Sequence, residues 1–165
     1  MHKEDIYAVD TNAALREHSD MVYKIALSQT KNKDDADDVF QEVFMRLITS
    51  SGKITSEEHL KAWLIRVTLN CCKKHFKFWN KGHAELIEDI PYITAEEHDI
   101  LHVVLDLPQK YRTVVHLFYY EELSVKQISR ALNTKESTVK SQLFRAREML
   151  RGKLKEEFED IVQSV

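Results

Sequence analysis

Between Asp34 and Asp38, four of five residues are carboxylates: Asp34, Asp35, Asp37 and Asp38. Clustered acids can serve hydrolytic chemistry on nucleic acid. They can equally open a helix, whose dipole favours negative charge at its start. No second carboxylate cluster or nucleophile accompanies them, so the helix start explains them without catalysis. The only cysteines, Cys71 and Cys72, are adjacent, and the eight histidines show no paired ligand spacing. Neighbouring cysteines rarely bridge each other, and a cytosolic chain keeps them reduced. No metal or cofactor is expected from this set. The remaining chemistry is binding. From Ser124 to Lys155 nine cations stand against two acids, Glu136 and Glu148, in a chain of net charge -3. A basic run of that size points to nucleic acid, because local patches decide binding.

The elements that carry these cations are legible. Ser124 is a good N-cap, with Gln127 three residues on as a capping box wants. Val125, Ile128 and Leu132 recur at helical spacing. Asn133 follows where the chain must turn, and Asn tolerates positive φ. Thr134 can cap the next helix, with Glu136 in its first turn. Val139, Leu143, Ala146 and Leu150 form that helix's buried stripe. Ser137, Ser141, Phe144 and Arg145 fall on the other side, with Lys140 on the flank. A polar, basic surface at the start of a second helix suits the major groove.

The N-terminal half reads as three helices. The first is predicted over 10–30, with Leu15, Val22, Ile25 and Gln29 on one face and Met21 and Ala26 beside it. Lys31-Asn32-Lys33 ends it. The second opens on the acids and carries Val39, Phe40, Val43, Phe44, Leu47 and Ile48, more than one buried stripe needs. Burial on two sides of a small bundle would explain that width. A partner seated near Gln41, Glu42 and Arg46 would explain it too. Residues 49–58 read as a polar loop. A third helix, over about 56–79, has Leu60, Trp63, Leu64, Val67, Cys71 and His75 as its inner stripe. Lys61, Arg66, Lys73, Lys74, Lys77 and Lys81 lie in a stretch without one acid. Cations interleaved with Phe76, Phe78 and Trp79 suit a strand with exposed bases; Trp63 fits the core better.

Composition then inverts. Residues 84–106 hold seven acids and no Lys or Arg, with Pro91 breaking any helix. Residues 81–95 read as an acidic linker between an N-terminal domain, 1–80, and a C-terminal one, 96–165. Helix resumes near Glu96, with Ile100, Val103, Val104 and Leu107 inward. Pro108 opens another, with Tyr111, Val114, Val115 and Phe118 apolar. The tail after Lys155 is predicted to fray. Three Gly and two Pro favour long helices, so the fold class expected is all-α. No apolar run is long enough to cross a membrane, and no signal peptide is evident. A plain DNA-binding regulator would need no basic, aromatic third helix.

Several stretches together resemble a family. Asp34-Asp35-Ala36-Asp37-Asp38-Val39-Phe40-Gln41-Glu42-Val43-Phe44 resembles the acidic-then-Gln-Glu helix of bacterial sigma factors. Trp63-Leu64-Ile65-Arg66-Val67-Thr68-Leu69-Asn70 resembles their promoter-melting helix. Leu107-Pro108-Gln109-Lys110-Tyr111-Arg112 and Ser137-Thr138-Val139-Lys140-Ser141 resemble their C-terminal domain. Order and length are similar to the extracytoplasmic-function group. The resemblance implies a non-enzymatic cytoplasmic factor that binds core RNA polymerase and promoter DNA. Asp38, Gln41, Glu42 and Arg46 would face polymerase, the first three on the clamp helices of its largest subunit. Arg66, Asn70, Lys73, Lys74 and Lys77 would serve the melted non-template strand of the downstream element. Asn70 would lie at a flipped-base pocket shaped by residues 49–58. Ser137, Thr138, Lys140, Ser141, Phe144, Arg145 and Arg147 would serve the upstream duplex. The linker would pass through the RNA exit path. Many members are held inactive by an anti-sigma protein. Where many members carry an acid and an arginine pair after the Asn, this chain has Cys71-Cys72-Lys73-Lys74.

Overall fold

Helix α1, Thr11–Thr30, begins because Asp10 accepts hydrogen bonds from the Asn12 and Ala13 amides. It ends where Lys31 turns left-handed, φ 54°, and returns its N–H to the Leu27 carbonyl. Asn32 then caps α2, Lys33–Ser50, by accepting from the Asp35 amide at 3.0 Å. The acids therefore sit in a helix's first turns, where its dipole favours them. The computed structural model describes residues 7–78 and 102–163, with the side chains of 76–78, 157, 158 and 160–162 left aside. The acidic linker, Lys81, Trp79 and Ile100 lie outside the described residues, as do the side chains of Phe76, Lys77 and Phe78. No strand occurs among the described residues, and the architecture is all-α. The chain forms two compact units, Met1–Ile87 and Glu88–Val165.

In the first unit α1, α2 and α3, Glu57–Phe78, each pack on the other two. Val22, Ile25, Val39, Val43, Leu47, Leu64 and Ile65 are buried, each burial removing apolar surface from water. Several expected faces shift. Leu15 is 40% exposed, outside the face expected to be inward, and Ile48 is 63% exposed, so part of the wide apolar face of α2 is left uncovered rather than buried on two sides. On α3, Trp63, Val67 and His75 are only half-buried, while Ile65, Thr68, Leu69 and Cys72 are buried. The buried arc there covers residues that a single stripe misses. The predicted polar loop is mostly structured: α2 runs to Ser50, a 3-10 turn follows over Ser51–Lys53, and Ile54 is buried. Ile54 anchors the connection by its apolar side chain. Tyr7 donates to Glu57 at 2.7 Å and His18 pairs with it at 2.8 Å, joining α1 to the start of α3. The His18 and Tyr7 bonds hold the Glu57 carboxyl below its ordinary value.

In the second unit, residues 102–105 are helical and α4 spans Gln109–Val115 after Pro108. A wider π turn, His116–Tyr120, continues it. Helix α5, Val125–Leu132, has the expected capping box, Ser124 accepting from the Gln127 amide and Gln127 from the Ser124 amide. Asn133 stands at φ 50°, ψ 49°. Helix α6, Glu136–Gln163, then buries Val139, Leu143 and Ala146. Lys135, not Thr134, occupies its N-cap position, its carbonyl accepting from the Val139 amide at 3.1 Å. The Thr134 carbonyl is taken by the Ser129 hydroxyl. Where fraying was expected after Lys155, helix persists to Gln163, since good helix formers follow and no Pro interrupts them.

The turn makes a direct expectation. Asn133→Gly should leave stability within a few tenths of a kcal/mol of the parent, because Gly meets positive φ without strain. Asn133→Val should cost about 1–2 kcal/mol, since a β-branched residue resists that region. Equal urea midpoints for the two variants would show that positive φ is not what the position demands.

Candidate functional site

The exposed side of α6 is built by the turn and the buried stripe together. With Val139, Leu143 and Ala146 packed inward, Ser137, Lys140, Ser141, Phe144, Arg145 and Arg147 are left exposed and Thr138 half-buried. Phe144 is 63% exposed, an apolar ring on a basic surface. Ser141 Oγ donates to the Ser137 carbonyl at 3.0 Å. The preceding segment sets tyrosines beside this surface. Tyr111 is buried against α6, and a hydrogen bond from Arg145, with help from Lys110, holds its hydroxyl below the usual phenol value. Arg147 Nε donates to Tyr119 Oη at 2.7 Å. The apolar character expected of Tyr111 fits its burial, whereas Tyr119 had no expected role, and only helix packing brings it to Arg147.

The first unit carries two further surfaces. On α2, Asp38, Gln41, Met45 and Thr49 are exposed, and with Glu42 and Arg46 they line a shallow open hollow. Met45, at 67% exposure, was not anticipated as part of this ridge. Glu42 is its electrostatic hub. Burial alone would raise its carboxyl, but a hydrogen bond and charge from Arg46, the Lys74 ammonium and the Cys71 thiol outweigh it and lower it. Lys74 Nζ lies 3.7 Å from Glu42. Beneath, burial first and Glu42 second push the Cys71 thiol up to about 11, while burial pushes Cys72 to about 12. Both are free, buried thiols at neutral pH and therefore poor nucleophiles.

On α3, Arg66, Asn70, Lys73 and Lys74 are all exposed. Their spacing of three, four and seven residues puts them on one face. Lys77 continues that register, but its side chain is outside the described set. Trp63 is half-buried, short of the core position that its place on the apolar stripe suggested. Folding also joins groups that linear spacing does not. Glu17, His18 and Glu57 form one cluster and Asp35, Asp38 and His75 another, with ligand-type atoms within 4.8 Å of one another in each. Hydrogen bonds already engage His18 and Glu57 of the first, and the acids of the second belong to the start of α2.

The family model for Sigma-70 region 2 matches residues 14–78, and that for Sigma-70, region 4 matches residues 97–150. The ECF RNA polymerase sigma factor SigM of Bacillus subtilis is 34% identical over 144 residues, covering 79% of this chain and 86% of the relative. The RNA polymerase sigma factor SigV of the same organism is 28% identical over 149 residues, covering 87% and 90%. Among solved structures, the sigma factor RpoE in complex with the anti-sigma factor NepR from Bartonella quintana shares the fold, with TM-score 0.75 at 20% identity over 87% of this chain and 96% of that one. The chain therefore belongs to the extracytoplasmic-function sigma factors, non-enzymatic proteins that bind core RNA polymerase and promoter DNA and direct promoter-specific transcription initiation.

Proposed function

We propose that the three exposed surfaces divide that role. Helix α6 takes the upstream element as duplex through Ser137, Thr138, Lys140, Ser141, Phe144, Arg145 and Arg147. Helix α3 captures the melted non-template strand of the downstream element through Arg66, Asn70, Lys73, Lys74 and Lys77. Asp38, Gln41, Glu42 and Arg46 on α2 face polymerase, the first three on the clamp helices of its largest subunit. The observation that carries the strand-capture reading is the α3 face, where exposed cations flank Asn70 and no acid lies between Lys61 and Lys81. Such a face follows a phosphate backbone and leaves an amide for a base. Residues 81–95 serve as the linker between a domain over 1–80 and another over 96–165. The factor works in the cytoplasm, beside polymerase. Among the described residues no helix is long and apolar enough to cross a membrane. An anti-sigma protein is a reasonable further partner, since the RpoE structure holds one.

The polymerase surface is tested by Gln41→Ala combined with Glu42→Ala. Gln41 is exposed and Glu42 half-buried, and neither belongs to the apolar core, so the helices should remain intact by circular dichroism. Affinity for core polymerase should fall about 5- to 30-fold, as for one or two moderate interface contacts. Native-like helicity with undiminished polymerase capture would remove α2 from the assignment.

A further inference from the structure

We propose that Tyr119 is a positioning residue for promoter binding, holding the Arg147 guanidinium against Phe118 and aiming it at a phosphate of the upstream duplex. The proposal rests on the reading of α6 as the upstream-element helix. Residues 140, 144, 147 and 151 recur at helical spacing, and Lys140, Phe144, Arg147 and Arg151 are all exposed. Base edges are read from the start of a recognition helix. Arg147 lies deeper along the same stripe, about two turns beyond Lys140, where a duplex presents its backbone rather than its bases.

An exposed arginine is ordinarily mobile. Here the guanidinium is fixed from two sides. Its Nε–H is spent on Tyr119 Oη at 2.7 Å. Its carbon lies 5.7 Å from the Phe118 ring centroid and 5.7 Å from that of Tyr119. The two rings meet edge to face, centroids 5.0 Å apart at 75°. The π turn His116–Tyr120 makes this possible. A wider turn reduces the angle between consecutive side chains, so neighbouring residues can face the same helix. The remaining guanidinium N–H groups are both Nη pairs, which form an end-on fork suited to phosphate oxygens. Tyr119 Oη accepts from Arg147 and keeps its own proton to donate. Preorganisation of this kind improves affinity by reducing what must be ordered on binding.

The test uses holoenzyme assembled from the full chain and core polymerase. The probe is a duplex recovered by the parent holoenzyme from a random-sequence library and trimmed to the upstream element. Affinity is measured against salt for Tyr119→Phe, Arg147→Ala and the double variant. Tyr119→Phe keeps the ring and removes only the hydroxyl, so circular dichroism should be unchanged. It should weaken binding about three- to tenfold, the effect of one hydrogen bond. Arg147→Ala should weaken it at least as much and lower the salt slope by about one. The double variant should be no weaker than Arg147→Ala. Loss with Arg147→Ala but none with Tyr119→Phe would overturn the positioning role and leave the α6 reading standing. Equal losses from Tyr119→Phe with and without Arg147 would also overturn it, because Tyr119 would then act independently. No loss with Arg147→Ala would remove the phosphate contact itself, and the proposal with it.

Discussion

Lys73→Ala combined with Lys74→Ala should leave binding to an upstream duplex intact and lower open-complex formation roughly twentyfold at about 0.1 M salt. The magnitude follows from counterion release, which contributes about 0.7 of a logarithmic unit per single-strand phosphate contact for each decade of salt. Both lysines are exposed on the α3 face that holds Asn70. Lys74 is also within 3.7 Å of Glu42, but its ammonium is exposed and Arg46 remains paired with Glu42, so its loss costs little stability. The loss should therefore appear in permanganate reactivity of unpaired thymines and not in melting of the protein. A premelted promoter should rescue the pair only partly, because phosphate contacts to the captured strand would still be missing. Lys140→Ala or Arg145→Ala should do the opposite and weaken the upstream duplex. Loss of a base contact would cost about 1–3 kcal/mol at one position. Abolished duplex binding by the lysine pair, with strand opening untouched, would dismantle the division between α3 and α6.

Arg112→Met should destabilise the second unit by about 2–4 kcal/mol, one to three for each carbonyl left unpaired less some relief from removing a buried charge. Arg112 is 3% exposed. Its Nη1 donates to the carbonyls of Leu105 and Leu107, each at 3.1 Å. These bonds close the end of helix 102–105 onto α4. Burial draws the guanidinium below its usual pKa, and its Nε has no hydrogen-bond partner among the described residues. Met retains most of the volume and neither donor, so the test isolates hydrogen bonding from packing. Upstream binding should fail along with the unit, because α4 packs Tyr111 and Val115 into the core that seats α6 at Ala146. A urea midpoint unchanged from the parent would show that water satisfies those carbonyls and that Arg112 is dispensable.

What the sequence determined by itself was local. The capping box of Ser124 and Gln127, the left-handed turn at Asn133 and the inward stripe of Val139, Leu143 and Ala146 each depend on residues a few positions apart. Their energetics are settled within a turn or two of helix. The acids of α2 were legible for the same reason, and so was the exposed basic side of α6. The face that failed, at Leu15, failed at the edge of an apolar stripe. Periodicity gives the direction of such a side chain but not whether another helix covers it. Polar burial was invisible for the same cause: nothing near Arg112 in the chain marks it as interior. The tertiary structure alone decided the pairs Tyr7–Glu57, His18–Glu57, Lys74–Glu42 and Arg147–Tyr119, whose members are 50, 39, 32 and 28 residues apart. Contacts at that separation form only when helix packing offsets the entropy of closing the intervening chain, and no local pattern encodes which helices will meet.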